Sequence, residues 1–194
     1  EIGSGLVGSE MCIRDRWCTH CSIQRVDVTR TTECITDWKR AYGKPVVCDE
    51  PGYEGNIYWG WGNLTGTELM RRFWEGAMRG GYVTHGETYI DQGEQVWWAH
   101  GGELHGEAPE RIAFMRGIFA DAPLDAAPLD ANDPQDEVWP VAATLPEGVA
   151  LNARLEKGVQ YWDVPVLRSG RDYQLVYFLS LIHISEPTRP EPIS

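Results

Sequence analysis

Two short stretches carry residues able to do acid–base or nucleophilic chemistry. In the first, Lys44–Glu54 (KPVVCDEPGYE), the apolar run Pro45, Val46, Val47, Cys48 leads to Asp49 and Glu50, and a glycine-containing turn follows. In the second, Gly80–Tyr89 (GGYVTHGETY), an apolar start leads to His85 and Glu87. A carboxylate held at a strand end can serve as nucleophile, general base or hydroxyl ligand, depending on the groups placed opposite it.

The elements that must position these residues alternate. Trp17–Gln24 has the composition of a short strand, and Asp27 offers an N-cap for a helix running to Tyr42. Val28, Ile35, Trp38 and Tyr42 fall on one face of that helix, and Gly43 ends it. Gly52–Gly66 is a loop rich in glycine and aromatics. A helix is predicted over Gly66–Arg79, with Thr65 and Glu68 at capping-box spacing, a stripe of Leu69, Phe73, Trp74 and Ala77, and a Gly80-Gly81 stop. The strand at Tyr82–Tyr89 follows. Pro109 suits the first turn of a last helix, Glu110–Ala120. Strands separated by helices imply parallel pairing, which brings Glu50, His85 and Glu87 to the carboxyl ends of neighbouring strands.

Composition shifts at Asp121. The segment from there to Pro140 is acidic, carries four prolines and nearly repeats itself (DAPLD, AAPLD), as a linker would. Beyond it, Val149–Glu156, Val159–Val166 and Tyr173–Phe178 read as strands separated by Lys157-Gly158 and Ser169-Gly170 turns. The 194 residues carry a net charge of −12 and an isoelectric point near 4.8. A phosphate backbone would be repelled, which argues against nucleic acid as a partner. No run approaches the roughly 20 apolar residues of a membrane span, and no obligate protein partner is evident.

Lys44–Asn56, together with Arg71–Tyr89 (RRFWEGAMRGGYVTHGETY), resembles the last third of a (β/α)8-barrel retaining glycoside hydrolase. The cellulase-like and apiosidase-like members, which often carry a C-terminal β-sandwich, are the ones it is similar to. The resemblance implies an α/β fold: a partial TIM barrel, about strands six to eight with their helices, then the first strands of a small all-β domain. Residues 17–122 would be barrel, 123–145 linker and 146–179 incomplete sandwich. The flanks, 1–16 and 180–194, contain stretches that resemble translated sequencing-adapter read-through (Ser4–Arg16 and Ser180–Ser194) and are expected to be disordered.

In that resemblance Cys18–Ile23 is strand six, strand seven ends in Glu50 as nucleophile, and Tyr82–Tyr89 is strand eight. A retaining enzyme needs such a carboxylate about 5–5.5 Å from a protonated one. The family's acid/base Glu closes strand four, upstream of Trp17, so the stretch is expected to be inactive by itself. By strict alternation Glu50 shares a face with Cys48, while Asp49 turns away as a structural residue. Glu54, His85, Glu87 and His20 become candidate ligands for sugar hydroxyls. Trp59, Trp61, Trp97 and Trp98, four of the nine tryptophans, lie in loops where aromatic faces stack on pyranose rings. The family also implies a secreted or periplasmic location and no cofactor.

Two other classes fit the same residues. One is a carbohydrate-binding protein on the same scaffold that does not cleave its ligand. The other is a metal-dependent hydrolase using His20, His85, His100 and His105. Cys18-Thr-His-Cys21 has metal or dithiol spacing, but no second pair stands at the spacing a four-ligand zinc site needs, so no metal is expected.

Overall fold

Short apolar runs punctuated by glycine and proline set the first elements. A computed structural model describes residues 18–24, 32, 34–91, 93–96, 102–128 and 165–177. Strand β1 (Cys21–Gln24) is followed by helix α1 (Ile35–Tyr42), strand β2 (Val46–Glu50), the two-residue strand β3 (Glu54–Gly55), a 3-10 turn at Gly60–Gly62 and helix α2 (Gly66–Met78). Strands β4 (Tyr82–Val83), β5 (Glu87–Asp91) and β6 (Glu94–Val96) come next, then helix α3 (Ala108–Ala120). Strands β7 (Ala127–Pro128), β8 (Val166–Ser169) and β9 (Tyr173–Val176) end the series. The chain divides into two units, Glu1–Asp125 and Ala126–Ser194, within the stretch read as linker. Among the described residues no helix is long and apolar enough to cross a membrane.

In the first unit β1, β2 and β4 form a parallel sheet in that order. A parallel pair cannot be joined by a hairpin, so α1 and α2 carry the chain back between its strands. Cys21, Ile23 and Val46 bury one face of the sheet with Ile35 of α1, and Trp38 and Tyr42 pack at the margin. Ile35 is wholly buried, a contribution of about 1.5–3 kcal/mol from its side chain. The other face is open: Ser22 and Gln24 are exposed and Tyr82 is 65% exposed. A second sheet places β5 between β3, to which it runs parallel, and β6, to which it is antiparallel.

Helix α2 is capped as its sequence predicts, with Glu68 N donating to Thr65 Oγ1 at 3.1 Å. Its buried face is wider than the expected stripe. Leu69 and Phe73 are buried together with Met70 and Met78, while Trp74 and Ala77 are only partly covered. Ala108 and Met115 of α3 complete this cluster, and Trp74 meets Phe119 at 5.8 Å. Pro109 lies in the first turn of α3. The mixed surroundings of α3 explain why its apolar residues follow no single stripe: Met115 is buried, yet Phe114 is 70% exposed.

Two expectations change. The single strand over Tyr82–Tyr89 is two strands, β4 on β2 and β5 on β3. Thr84 stops the first by donating its N–H to the Cys48 carbonyl and its hydroxyl to the Asp49 carbonyl, and Gly86 accommodates the ring of Tyr53. Helix α1 begins at Ile35 after Cys34, whereas Asp27 and Val28 lie outside the described residues. In the second unit β7, β8 and β9 form an antiparallel sheet. The Ser169-Gly170 turn joins β8 and β9, with Gly170 at φ 52°. The strand expected over Val149–Glu156 and both chain ends lie outside the described residues.

Candidate functional site

The carboxyl ends of β1, β2 and β4 gather polar side chains, and a register shift decides which way they face. Cys21, Ser22 and Ile23 pair in step with Val46, Val47 and Cys48, but Gln24 pairs with Glu50, so Asp49 is an extra residue in β2. A bulge of this kind reverses the alternation beyond it. Cys48 stays on the buried face opposite Ile23, and Glu50 moves to the open face with Gln24. Strict alternation had placed Glu50 beside Cys48, and the bulge corrects that expectation. Neighbours on both sides pin it: Ser22 Oγ donates to Asp49 Oδ2, and Thr84 Oγ1 donates to the Asp49 carbonyl.

The four carboxylates near these strand ends are used differently. Asp49 holds the bulge. Glu54 is 3% exposed, and its two oxygens accept from Glu107 N (2.8 Å) and Ala108 N (2.9 Å), with Tyr89 Oη adding a 3.3 Å bond. Glu87, 5% exposed and opposite Glu54 in the β3–β5 register, accepts from His105 N (2.7 Å) and Gly106 N (3.1 Å) through Oε2. Four successive backbone N–H groups at the start of α3 are thus held by two adjacent carboxylates. The N-cap residue Glu107 makes no side-chain cap of its own, so Glu54 supplies the missing acceptor and favourable charge at the positive helix end. Each such charge-assisted bond is worth about 1.5–3 kcal/mol. Glu54 and Glu87 therefore act as anchors for α3. Glu50 is half-buried, and no hydrogen bond engages its carboxylate among the described residues.

The turn after Glu50 is held from below. Arg72, 1% exposed on α2, donates Nε to Glu68 Oε1 at 2.9 Å and Nη1 to the Pro51 carbonyl. Gly52 follows with φ 88°, and a Cβ there would lie 2.8 Å from Leu64 and 2.9 Å from Arg72, so position and conformation both demand glycine. Tyr53 then donates its N–H to the Trp61 carbonyl, and its ring meets Trp61 edge-on at 6.0 Å. Burial, Glu50, Asp49 and Cys48, in that order, push the Tyr53 phenol up to about 12. Burial first and then Glu54 do the same to Tyr89, also to about 12.

Trp59 and Trp61 are stacked, their ring centroids 6.0 Å apart and their planes within 7° of parallel, with Trp59 51% exposed. His85 closes the group, its Nε2 3.6 Å from Glu87 Oε1. The structure thus sets Glu50, Tyr53, His85 and the Trp59–Trp61 pair at the carboxyl ends of β2 and β4 and in the loops that follow them. It does not bring His20 there: that exposed residue precedes β1 at its amino end, hydrogen-bonded to Thr19. Trp97, Trp98 and His100 lie outside the described residues. Among the described residues no group of three or more His, Cys, Asp and Glu is arranged to hold a metal ion, and Cys18, Cys21, Cys34 and Cys48 form no disulfide.

Sequence reasoning did not single out Tyr53, Arg72 or the bulge. A signal for Arg72 existed, since it falls beside Leu69 and Phe73 on the apolar stripe of α2, where a charge must be paired. The bulge has no local signal, because it appears only in the register between strands.

A parallel βαβαβ unit with a carboxylate and aromatics at its strand ends is an arrangement many enzymes share. No family model matches the chain, and no curated protein does. A solved structure does match: a proposed glycoside hydrolase from Bacteroides vulgatus, 37% identical, with a TM-score of 0.55, over 62% of this chain and 23% of that one. The chain therefore spans less than a quarter of that protein's length.

Proposed function

We propose that the chain is the strand six to eight portion of a (β/α)8-barrel glycoside hydrolase, followed by part of a small β domain, and that Glu50 is the nucleophile of a retaining mechanism. The observation that carries this reading is the contrast among the four carboxylates. Asp49, Glu54 and Glu87 are engaged by hydrogen bonds, whereas the bulge turns Glu50 to the open face at the carboxyl end of a parallel strand. Likeness to the Bacteroides protein supports the class.

In the proposed reaction Glu50 attacks the anomeric carbon and the C–O bond to the leaving group breaks as a second carboxyl group protonates the departing oxygen. Water then displaces Glu50, with that second group acting as base. The second carboxyl belongs to a strand outside this chain. Trp59, Trp61 and Tyr53 would form the apolar wall on which a pyranose ring stacks.

The test uses the full-length protein. Glu50→Ala should lower turnover of saccharide by roughly a thousandfold or more, and added azide should restore release of the leaving group as a glycosyl azide. Turnover within a few-fold of the parent would remove Glu50 from the mechanism. Saccharide binding without hydrolysis by the parent itself would favour a non-catalytic carbohydrate-binding role instead.

A further inference from the structure

We infer that Glu87 fixes His85 as the tautomer protonated on Nε2, which makes His85 Nδ1 a hydrogen-bond acceptor facing the mouth of the site and specific for a hydroxyl donor of a bound carbohydrate. Glu87 Oε1 and His85 Nε2 are both sealed from solvent and both lack a hydrogen-bond partner among the described residues, and they stand 3.6 Å apart. That separation is a few tenths of an ångström beyond hydrogen-bond reach.

The other oxygen of Glu87 is already taken by the N–H groups of His105 and Gly106. Gly106 closes the near side, since a Cβ there would lie 2.8 Å from Glu87 Oε1. A buried carboxylate oxygen left without a donor carries a desolvation penalty, and His85 Nε2 is the group positioned to relieve it. A carboxylate accepts only, so the shared proton sits on Nε2. In a neutral imidazole Nδ1 is then an acceptor. The His85 side chain is 21% exposed, and Nδ1 is not among the buried unpaired atoms, so Nδ1 is the nitrogen that solvent or ligand reaches. Tyr53 packs against Gly86, the residue next to His85, so His85 lies one residue from the proposed sugar wall.

The hydroxyl assignment rests on the carbohydrate reading above, whereas the tautomer does not. Magic-angle-spinning 15N spectra of the full-length protein, ring-labelled at histidine and measured near pH 8, read the tautomer directly, with His85→Gln to assign the signal. The expected spectrum shows a protonated Nε2 and an unprotonated Nδ1 at His85. Glu87→Gln keeps an oxygen for His105 and Gly106 but turns an amide donor toward Nε2, so the His85 proton should move to Nδ1. Adding cellohexaose or xylohexaose should shift the wild-type Nδ1 signal upfield, and Glu87→Gln should weaken that binding about 3- to 10-fold.

A wild-type His85 protonated on Nδ1, or a Glu87→Gln protein still protonated on Nε2, overturns the positioning role of Glu87 even if the protein hydrolyses saccharide. If Glu87→Gln fails to fold, the wild-type spectrum decides. A Nδ1 signal unmoved by both sugars overturns the hydroxyl assignment and leaves the tautomer standing.

Discussion

Glu54 and Glu87 face each other across β3 and β5 and hold the N–H groups of residues 105–108. Gly106 lies where any side chain would strike them: a Cβ would meet the Glu54 carboxylate and come within 2.8 Å of Glu87. Gly106→Ala should therefore destabilise the protein by about 1–3 kcal/mol through forced displacement of a buried acceptor. Urea unfolding checks this, and an unchanged midpoint would show that the loop has slack. Two phenols give a second prediction, Tyr89 beside Glu54 and Glu87 and Tyr53 beside Glu50 and Asp49. Tyr53 and Tyr89 keep their protons up to about 12, against an ordinary 10. A raised folded value means that the stability each contributes is complete below pH 10 and lost as pH rises through 12. Absorbance titration should show two phenols ionising late, and Tyr53→Phe and Tyr89→Phe should each remove one of them. At this scale the sequence pointed to Glu54 and Glu87 as residues of interest but not to their partners, which lie 53 and 18 residues away for Glu107 and His105.

Helix α2 links the core to the candidate site. Its apolar face packs on α3, and Arg72 on that same face donates to the carbonyl that follows Glu50. Glu68 steadies Arg72 and also makes a two-point pair with Arg71, at 2.8 and 2.7 Å. Burial alone would raise the Glu68 carboxyl, but the bonds from Arg71 and Arg72 outweigh it and lower it below its ordinary 4.5. For a lowered acid the stabilising contribution is present above pH 4.5 and lost as pH falls through the folded value. Glu68→Gln should thus flatten the acid limb of stability against pH, with variant and wild type converging below that limb. Parallel slopes down to pH 3 would show that the pair does not favour the charged form in the fold. The helix itself was legible from Thr65, Glu68 and the Gly80-Gly81 stop, because caps and periodicity act within a few residues. The strand over Tyr82–Tyr89 was not, since its division depends on Thr84 reaching Cys48 and Asp49 in another strand.

For the whole molecule, net charge is the property that needs no coordinates. At −12, the protein should show no change in the anisotropy of a labelled DNA duplex even at low salt, where phosphate contacts are strongest. Salt-sensitive binding would reveal a basic patch that the total conceals. The sequence by itself determined the alternation of strands and helices, the Gly43 stop of α1, the cap and stop of α2, the acidic balance, and the delivery of Glu50 to a strand end. These follow from local spacing and composition, which a linear reading contains. Only the tertiary structure decided that Asp49 is a bulge, that Glu50 consequently leaves the face of Cys48, and that Glu54 and Glu87 anchor α3. Register and hydrogen-bond partnership are relations between residues far apart in the chain, settled when strands meet and buried polar groups compete for a limited set of partners.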